Sequence, residues 1–203
     1  GSENEKTLPF PGVLSTHNCR VFGNRCLSGR GGGIFAQYGD VRDCEIYDNI
    51  AQNGGGVYAL QNGNSTISGC RIYNNAATDS LQGGGGIACA KVVMTHIVDC
   101  VISNNAAPLG GGIVPLGNVS FTVSNCLIVA NQATNGYGGG VISSTRRTQI
   151  FHSLIRENMS TKGGGGFYHS GQWTGTNETF VLNCLFEGNS VTGSYVNGGA
   201  ILV

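Results

Sequence analysis

The sequence predicts an all-β fold, a parallel β-helix, from three observations. One sequence motif occurs seven times: a cysteine (serine in one copy), an asparagine five residues later, and a run of glycines before an apolar residue. Successive copies begin 25 to 31 residues apart, a period typical of solenoids. The position two after each cysteine is also apolar, which is the spacing of neighbours on one face of a strand. We therefore expect about seven coils, each made by one copy.

Three short strands are expected in each coil: one before the cysteine, one beginning at it, and one beginning at the glycines. Asparagine tolerates left-handed backbone angles, and stacked amides can bond from coil to coil. We therefore expect a turn and a ladder at Asn24, Asn49, Asn75, Asn105, Asn131, Asn158 and Asn189.

The repeats define one domain, residues 13–203. Residues 1–12 carry no repeat, so we interpret them as a cloning scar followed by a linker or an N-terminal cap. The last coil has no capping sequence, which predicts truncation at the C-terminal end or self-association through the open β-helix end. Zero net charge and the lack of a basic stripe argue against a nucleic-acid partner. The apolar runs are too short for a transmembrane segment.

The cysteines form an inward column, which suggests a second structural ladder. Its members are Cys19, Cys44, Cys70, Cys100, Cys126 and Cys184, with Ser153 in the sixth copy. Stacked parallel side chains do not readily reach the disulfide torsion, and a serine suits a filler position better than a bridged one. We expect buried free thiols that act as small apolar fillers.

Two tetrapeptides in the last copy give a family resemblance. Gly198-Gly199-Ala200-Ile201 and Phe186-Glu187-Gly188-Asn189 resemble the GGAI and FxxN repeats of chlamydial polymorphic outer-membrane proteins and related predicted outer-membrane repeat proteins. The other copies are degenerate, and the resemblance covers about residues 19 to 203. It implies a right-handed parallel β-helix that is surface-exposed or secreted, at the bacterial outer membrane or outside the cell, and often adhesive.

The position directly after each cysteine should point outward and changes character along the chain. Arg20, Glu45 and Arg71 alternate in charge and should pair across coils. An apolar stripe follows at Val101, Leu127, Leu154 and Leu185. The stripe is either covered by a loop or the N-terminal segment, or it contacts a partner or a second copy.

Aromatic residues suggest a second kind of contact. Phe22, Tyr47 and Tyr73 occupy one outward column, so they form either a sugar platform or ordinary cross-strand packing. The excursion after Tyr168 contains Trp173, which suits either a carbohydrate contact or a fold-back over the apolar stripe.

The position before the cysteine provides the weak catalytic alternative. Asp43, Asp99 and His152 could serve a polysaccharide lyase or glycoside hydrolase of the pectate-lyase-like kind, with two carboxylates spaced for a water. The alternative is polar groups bonding in a turn. The histidines fall in different coils, so we expect no metal site and no cofactor; His169 should be a satisfied core histidine.

These observations favour a non-catalytic surface or secreted β-helix, an adhesin or a stalk that binds a host or environmental glycan or protein. A polysaccharide lyase or hydrolase is the first alternative. A structural spacer or assembly module is the second.

Overall fold

The computed structural model describes residues 15–60, 64–81, 83–90, 94–117, 119–143, 147–170, 178–194 and 197–203. They form a parallel β-solenoid with four sheets of seven strands each, and every strand pairs with its equivalent one coil away. The predicted all-β parallel β-helix is confirmed. The expectation of three strands per coil is wrong, because each coil has four. The predicted N-terminal cap, residues 1–12, lies outside the described residues.

The four sheets follow one another around the coil. Sheet A, before the cysteine, comprises β1 (Thr16–His17), β5 (Val41–Arg42), β9 (Asn64–Ser68), β13 (Met94–Val98), β17 (Ser120–Ser124), β21 (Arg147–Phe151) and β25 (Glu178–Leu182). Sheet B, after the cysteine, comprises β2 (Arg20–Phe22), β6 (Glu45–Tyr47), β10 (Arg71–Tyr73), β14 (Val101–Ser103), β18 (Leu127–Val129), β22 (Leu154–Arg156) and β26 (Leu185–Glu187).

Two further sheets close the coil. Sheet C, after the asparagine, comprises β3 (Arg25–Arg30), β7 (Ile50–Asn53), β11 (Ala76–Ala77), β15 (Ala106–Ala107), β19 (Gln132–Ala133), β23 (Met159–Ser160) and β27 (Ser190–Val191). Sheet D, after the glycines, comprises β4 (Ile34–Ala36), β8 (Val57–Leu60), β12 (Ile87–Ala90), β16 (Ile113–Leu116), β20 (Val141–Ser143), β24 (Phe167–His169) and β28 (Ile201–Leu202).

Left-handed residues make the two corners that flank sheet B. The corner between sheets A and B is the position before the cysteine, with φ near +50° at Asn18, Asp43, Asp99, Asn125, His152 and Asn183 and a glycine at position 69. The corner between sheets B and C is the position before the ladder asparagine, for example Asn74 (φ 54°) and Ala130 (φ 54°). The turn expected at the ladder asparagine is therefore one residue earlier, which leaves the asparagine side chain free to point inward.

The asparagine side chains form a continuous internal ladder. Each Nδ2 donates to the Oδ1 of the asparagine one coil on, at 2.9 to 3.0 Å, from Asn24 through Asn189. The same Oδ1 also accepts the backbone N–H of the preceding asparagine. The inner members are 0 to 1% exposed. Every amide in this dry column is thus satisfied by its neighbours, as a buried polar group requires.

The cysteines line the interior on the opposite side of sheet B from the asparagines. Their thiols are free, and each Sγ donates to the carbonyl two residues earlier, at 3.1 to 3.3 Å. Ser153 makes the same contact through Oγ at 2.8 Å. Cysteine here fills apolar volume and supplies a weak donor to the corner carbonyl.

The glycine run lies where the backbones of sheets C and D come closest. Gly138 is left-handed (φ 65°), and a Cβ at Gly139 would collide with the carbonyl oxygens of Met159 and Gly165. Side chains therefore cannot fit between these strands, which explains the runs of glycine before sheet D. The remaining interior is filled by stacked aliphatic side chains such as Ile46, Ile72 and their equivalents, all closed to solvent.

Candidate functional site

The outer face of sheet B carries most of the residues that the sequence singled out. In each of its strands the middle side chain points into the core, and the first and third point outward. The strands pair without a register shift, so residues at equal positions form straight outward columns. The face is an open surface about 29 Å long, from six steps of about 4.8 Å.

The first three coils of this face carry an aromatic stack. The rings of Phe22, Tyr47 and Tyr73 are nearly parallel, with centroids 4.9 Å apart and interplanar angles of 3 to 4°. Because the ring faces lie against each other, most of their area is used within the stack. What the stack offers to a ligand is mainly the ring edges and the exposed face of Phe22, which is 56% exposed. This arrangement is closer to cross-strand packing than to a platform for sugar rings.

Glu45 is the polar centre of the same half. Its carboxylate pairs with Arg20 at 2.9 Å and accepts the Tyr73 hydroxyl at 3.1 Å, while Arg20 also donates to the Tyr47 hydroxyl at 3.2 Å. Tyr47 and Glu45 raise the pKa of the Arg20 guanidinium. Desolvation and the bond to Glu45 raise the pKa of Tyr73. Glu45 is thus engaged by both Arg20 and Tyr73, while the Arg20 side chain itself remains 68% exposed.

Arg71 lies outside this network. Pairing across coils was expected for Arg20, Glu45 and Arg71 alike, but only the first two pair. Within the described residues Arg71 makes no ion pair, and its one recorded contact is a cation–π approach of 5.9 Å to the Tyr73 ring. The reason is that Glu45 is already engaged by Arg20 and Tyr73. Arg71 is therefore an exposed cation at the end of the charged half.

The apolar stripe forms the second half of the face. Val101, Leu127 and Leu154 are half-buried, and Leu185 is 59% exposed. Val129 lies beside them in the third-position column. The stripe is therefore partly accessible along its length and most exposed at Leu185.

Apolar residues on sheet A extend this surface and were missed by sequence reasoning. Phe151 and Leu182 are the last residues of β21 and β25 and point outward, directly before the corner that leads to Leu154 and Leu185. Leu182 is 51% exposed. The available signal was their position two before Ser153 and Cys184, where earlier copies have mostly polar residues.

Arg156 ends the apolar surface in the third-position column. Its nearest acidic group is Glu157, with Nη1 and Oε1 4.0 Å apart, and its Nε is covered without a hydrogen-bond partner in the described structure. The hydrogen-bonding capacity of this guanidinium is therefore largely unused by the chain.

Asp43, Asp99 and His152 lie on the exposed corner between sheets A and B. Two of them bond to neighbouring corner residues: Asn125 donates to Asp99 at 2.6 Å, and Asn183 contacts the His152 ring at 3.2 Å. The three residues are in different coils on a convex edge. The left-handed backbone of all three, and the bonds of Asp99 and His152 to adjacent corner asparagines, suit a turn rather than an acid–base pair.

The remaining aromatic candidates are near sheet D. Tyr168 stacks on Tyr137 with centroids 4.4 Å apart, and burial followed by the nearby Tyr137 hydroxyl raises the Tyr168 pKa. Trp173 lies outside the described residues. His169 points inward, with Nδ1 3.2 Å from Ser143 Oγ and 3.3 Å from Thr179 Oγ1, as a satisfied core histidine would.

The described residues contain neither a cluster of metal ligands nor a membrane-spanning helix. No group of three or more His, Cys, Asp and Glu side chains there could hold a metal ion. No helix in that part of the chain is long and apolar enough to cross a bilayer.

The fold and the outward columns define a parallel β-solenoid with one patterned face, and comparison with known proteins gives the family. The family model described as "Right handed beta helix region" matches residues 12–203, so the chain belongs to the right-handed β-helix family. The chain is also 30% identical over 138 residues to the "Metabotropic glutamate receptor-like protein R" of Dictyostelium discoideum. That match covers 68% of this chain but only 8% of the relative. No solved structure matches.

Proposed function

We propose that this chain is a non-catalytic β-helix, located on a cell surface or secreted, that binds a protein partner through the outer face of sheet B. The observation that carries the proposal is the accessible apolar stripe of Val101, Leu127, Leu154 and Leu185 on a flat, straight sheet. Contiguous apolar surface of this kind is typical of an interaction site.

The chemistry of the face favours a protein over a glycan. Sugars need hydrogen-bonding groups and open aromatic faces, whereas coils four to six of this face offer mainly aliphatic carbon. In the first three coils the ring faces are stacked on each other and the polar groups are mutually bonded. The chemical groups on this face are therefore those expected of a protein-binding adhesin or stalk.

The surface or secreted location is supported by two resemblances. The curated relative is named as receptor-like, which is compatible with such a location. The chlamydial resemblance of the last copy implies the same, and an outer-membrane location stays a prediction. The relative is much longer than this chain, so its activity as a whole protein is not carried over.

A binding assay with matched variants tests the proposal. Labelled protein would be applied to a panel of bacterial and eukaryotic cells, with and without protease or glycosidase treatment of those cells. We expect saturable binding that protease removes and glycosidase spares, and that Leu127→Asp abolishes. Gln132→Asp, an outward change in the same coil on sheet C, is the control and should retain binding.

Three outcomes would overturn the proposal. Binding that survives Leu127→Asp in a folded protein would exclude the stripe. Binding that glycosidase removes, supported by a glycan array, would favour a carbohydrate ligand. Turnover of an acidic polysaccharide, lost on substituting Asp43 or Asp99, would establish the enzyme alternative.

A further inference from the structure

Two arginines flank the part of the apolar stripe in coils four to six, and neither makes a close ion pair with the described chain. Arg71 precedes the stripe in coil three and makes no ion pair within the described residues. Arg156 lies in coil six, where its 4.0 Å contact to Glu157 is exposed and therefore weak. Glu187, its neighbour one coil on, is not within ion-pair distance.

The apolar groups between these arginines occupy the two outward columns of coils four to six. They are Val101, Leu127, Val129 and Leu154, and Ser103 is the polar residue among them. Glu45, the acidic residue in the outward columns of the charged half, is already paired with Arg20. Each end of the surface thus carries an arginine, with Glu157 and Glu187 beside Arg156, and the middle is apolar.

The separation of the arginines fixes the shape of a complementary ligand. They are three coils apart along the solenoid, about 14 Å, and two residues apart across the strand, about 7 Å, so their Cα atoms are about 16 Å apart. In an extended peptide, residues i, i+2 and i+4 share one face and span about 13 Å. The length of an arginine side chain accommodates the difference of about 3 Å.

Resting on the proposed function, we propose that the partner presents an extended acidic–aliphatic segment with the pattern acid-x-aliphatic-x-acid. One carboxylate pairs with Arg71, the aliphatic side chain packs on Leu127 and Val129, and the second carboxylate pairs with Arg156. Arginine suits this role because its planar guanidinium binds a carboxylate through two N–H groups. The apolar centre supplies contact area, and the charges set register and orientation.

Synthetic peptides test this partner chemistry directly. Titration of the ¹⁵N-labelled protein with Gly-Ser-Glu-Ser-Leu-Ser-Glu-Ser-Gly should shift the amides of β14, β18 and β22, and binding should weaken with added salt. The Gln-x-Leu-x-Gln peptide should bind less tightly and the Lys-x-Leu-x-Lys peptide not at all. A peptide in which the two acidic residues are adjacent should bind only slightly more tightly than the Gln-x-Leu-x-Gln peptide.

Arginine variants provide the matched controls. Arg71→Gln and Arg156→Gln should each weaken the acidic peptide about two- to fivefold, in line with exposed ion pairs. Arg147→Gln removes the same charge from sheet A, where Arg147 pairs with Glu178 at 3.5 Å, and should leave binding unchanged. The Arg71→Glu variant should bind the Lys-x-Leu-x-Glu peptide more tightly than the acidic peptide. Such a rescue requires direct contact between residue 71 and the peptide, and it requires a folded protein.

The outcomes separate this inference from the proposed function. If no acidic peptide binds but Leu127→Asp still abolishes cell binding, the partner chemistry is wrong and the binding face stands. If Arg147→Gln weakens binding of the acidic peptide as much as Arg71→Gln does, the electrostatic attraction is non-specific and the inference fails. If the Leu127→Asp variant binds cells as well as the unchanged protein does, the proposed function fails, whether or not the peptides bind.

Discussion

Replacing one inner ladder asparagine should destabilise the protein far more than replacing the first one. Asn105 is 0% exposed. Its Nδ2 donates to Asn131 Oδ1 at 3.0 Å and to the Ile72 carbonyl at 2.9 Å, and its Oδ1 accepts the backbone N–H and the Nδ2 of Asn75, both at 3.0 Å. Asn105→Ala therefore removes four buried hydrogen bonds and leaves the Asn75 backbone N–H without this acceptor.

The expected loss follows from the net value of a buried hydrogen bond. At about 1 kcal/mol for each bond, the free energy of unfolding falls by about 4 kcal/mol. For a chain of this size that corresponds to a decrease in Tm of about 8 to 16 °C. Asn24→Ala is the matched control, since Asn24 makes two side-chain bonds and accepts none, so about 1 to 2 kcal/mol is expected.

Guanidinium unfolding followed by circular dichroism measures the global effect. Native-state hydrogen exchange at the Asn75 amide measures the local one, which matters because stacked repeats can open regionally. Equal losses for the two variants, or a loss below about 1 kcal/mol for Asn105→Ala, would show that the amide column is not the stabilising element described above.

Three further predictions concern the packing and the charges. Gly139→Ala should cost about 3 kcal/mol or more, or prevent soluble expression, because its Cβ meets backbone on two sides; Gly199→Ala in the last coil, where the nearest atom is 3.3 Å away, should be mild in the same unfolding assay. Burial raises the Cys89 pKa to about 12, so Cys89 should resist iodoacetamide at pH 8 in the native state and react only after unfolding, as peptide mass spectrometry would show. Burial raises the Asp40 pKa, but the hydrogen bond from Arg42 and the backbone bond outweigh it, so the folded pKa is lowered. The carboxylate of Asp40 therefore stabilises the fold above its unfolded pKa near 3.8, and this contribution disappears as pH falls through the lower folded pKa. Asp40→Asn should lose about 1 kcal/mol at pH 7 and much less near pH 2, and a loss independent of pH would contradict the ion pair with Arg42.

The architecture was predictable because stacking converts equal sequence positions into spatial columns. The inward positions of sheets A, B and D, the asparagine ladder and the thiol column all follow from period and alternation. The fourth strand was missed because sheet C is often two residues long, as at Ala76–Ala77, and its inward residues are small. The residues there are small because the glycine backbones approach closely, and the repeat period of the sequence does not predict this approach.

The candidate site was predictable only in part. The stripe and the aromatic column follow from alternation, so their outward placement needed no structure. The pattern of ion pairs could be read only from the structure, because Glu45 bonds to Arg20 and Tyr73 and not to Arg71 as well. Phe151 and Leu182 were missed because the corner places them beside the stripe although they belong to another sheet.

The division of the sheet B face into two halves indicates where binding can occur. Inward residues are tied to equivalents one coil away, so a change at Asn105 or Gly139 is felt by neighbouring coils and leaves little room for functional variation. Outward residues carry no such constraint, yet in the first three coils they bond to one another. Guanidinium groups outside the Glu45 network and outward apolar residues occur together between Arg71 and Arg156, and the apolar stripe continues past them to Leu185. A ligand that engages the stripe therefore meets aliphatic carbon and guanidinium groups that the chain leaves available, whereas at Glu45 it would first have to break the contacts to Arg20 and Tyr73.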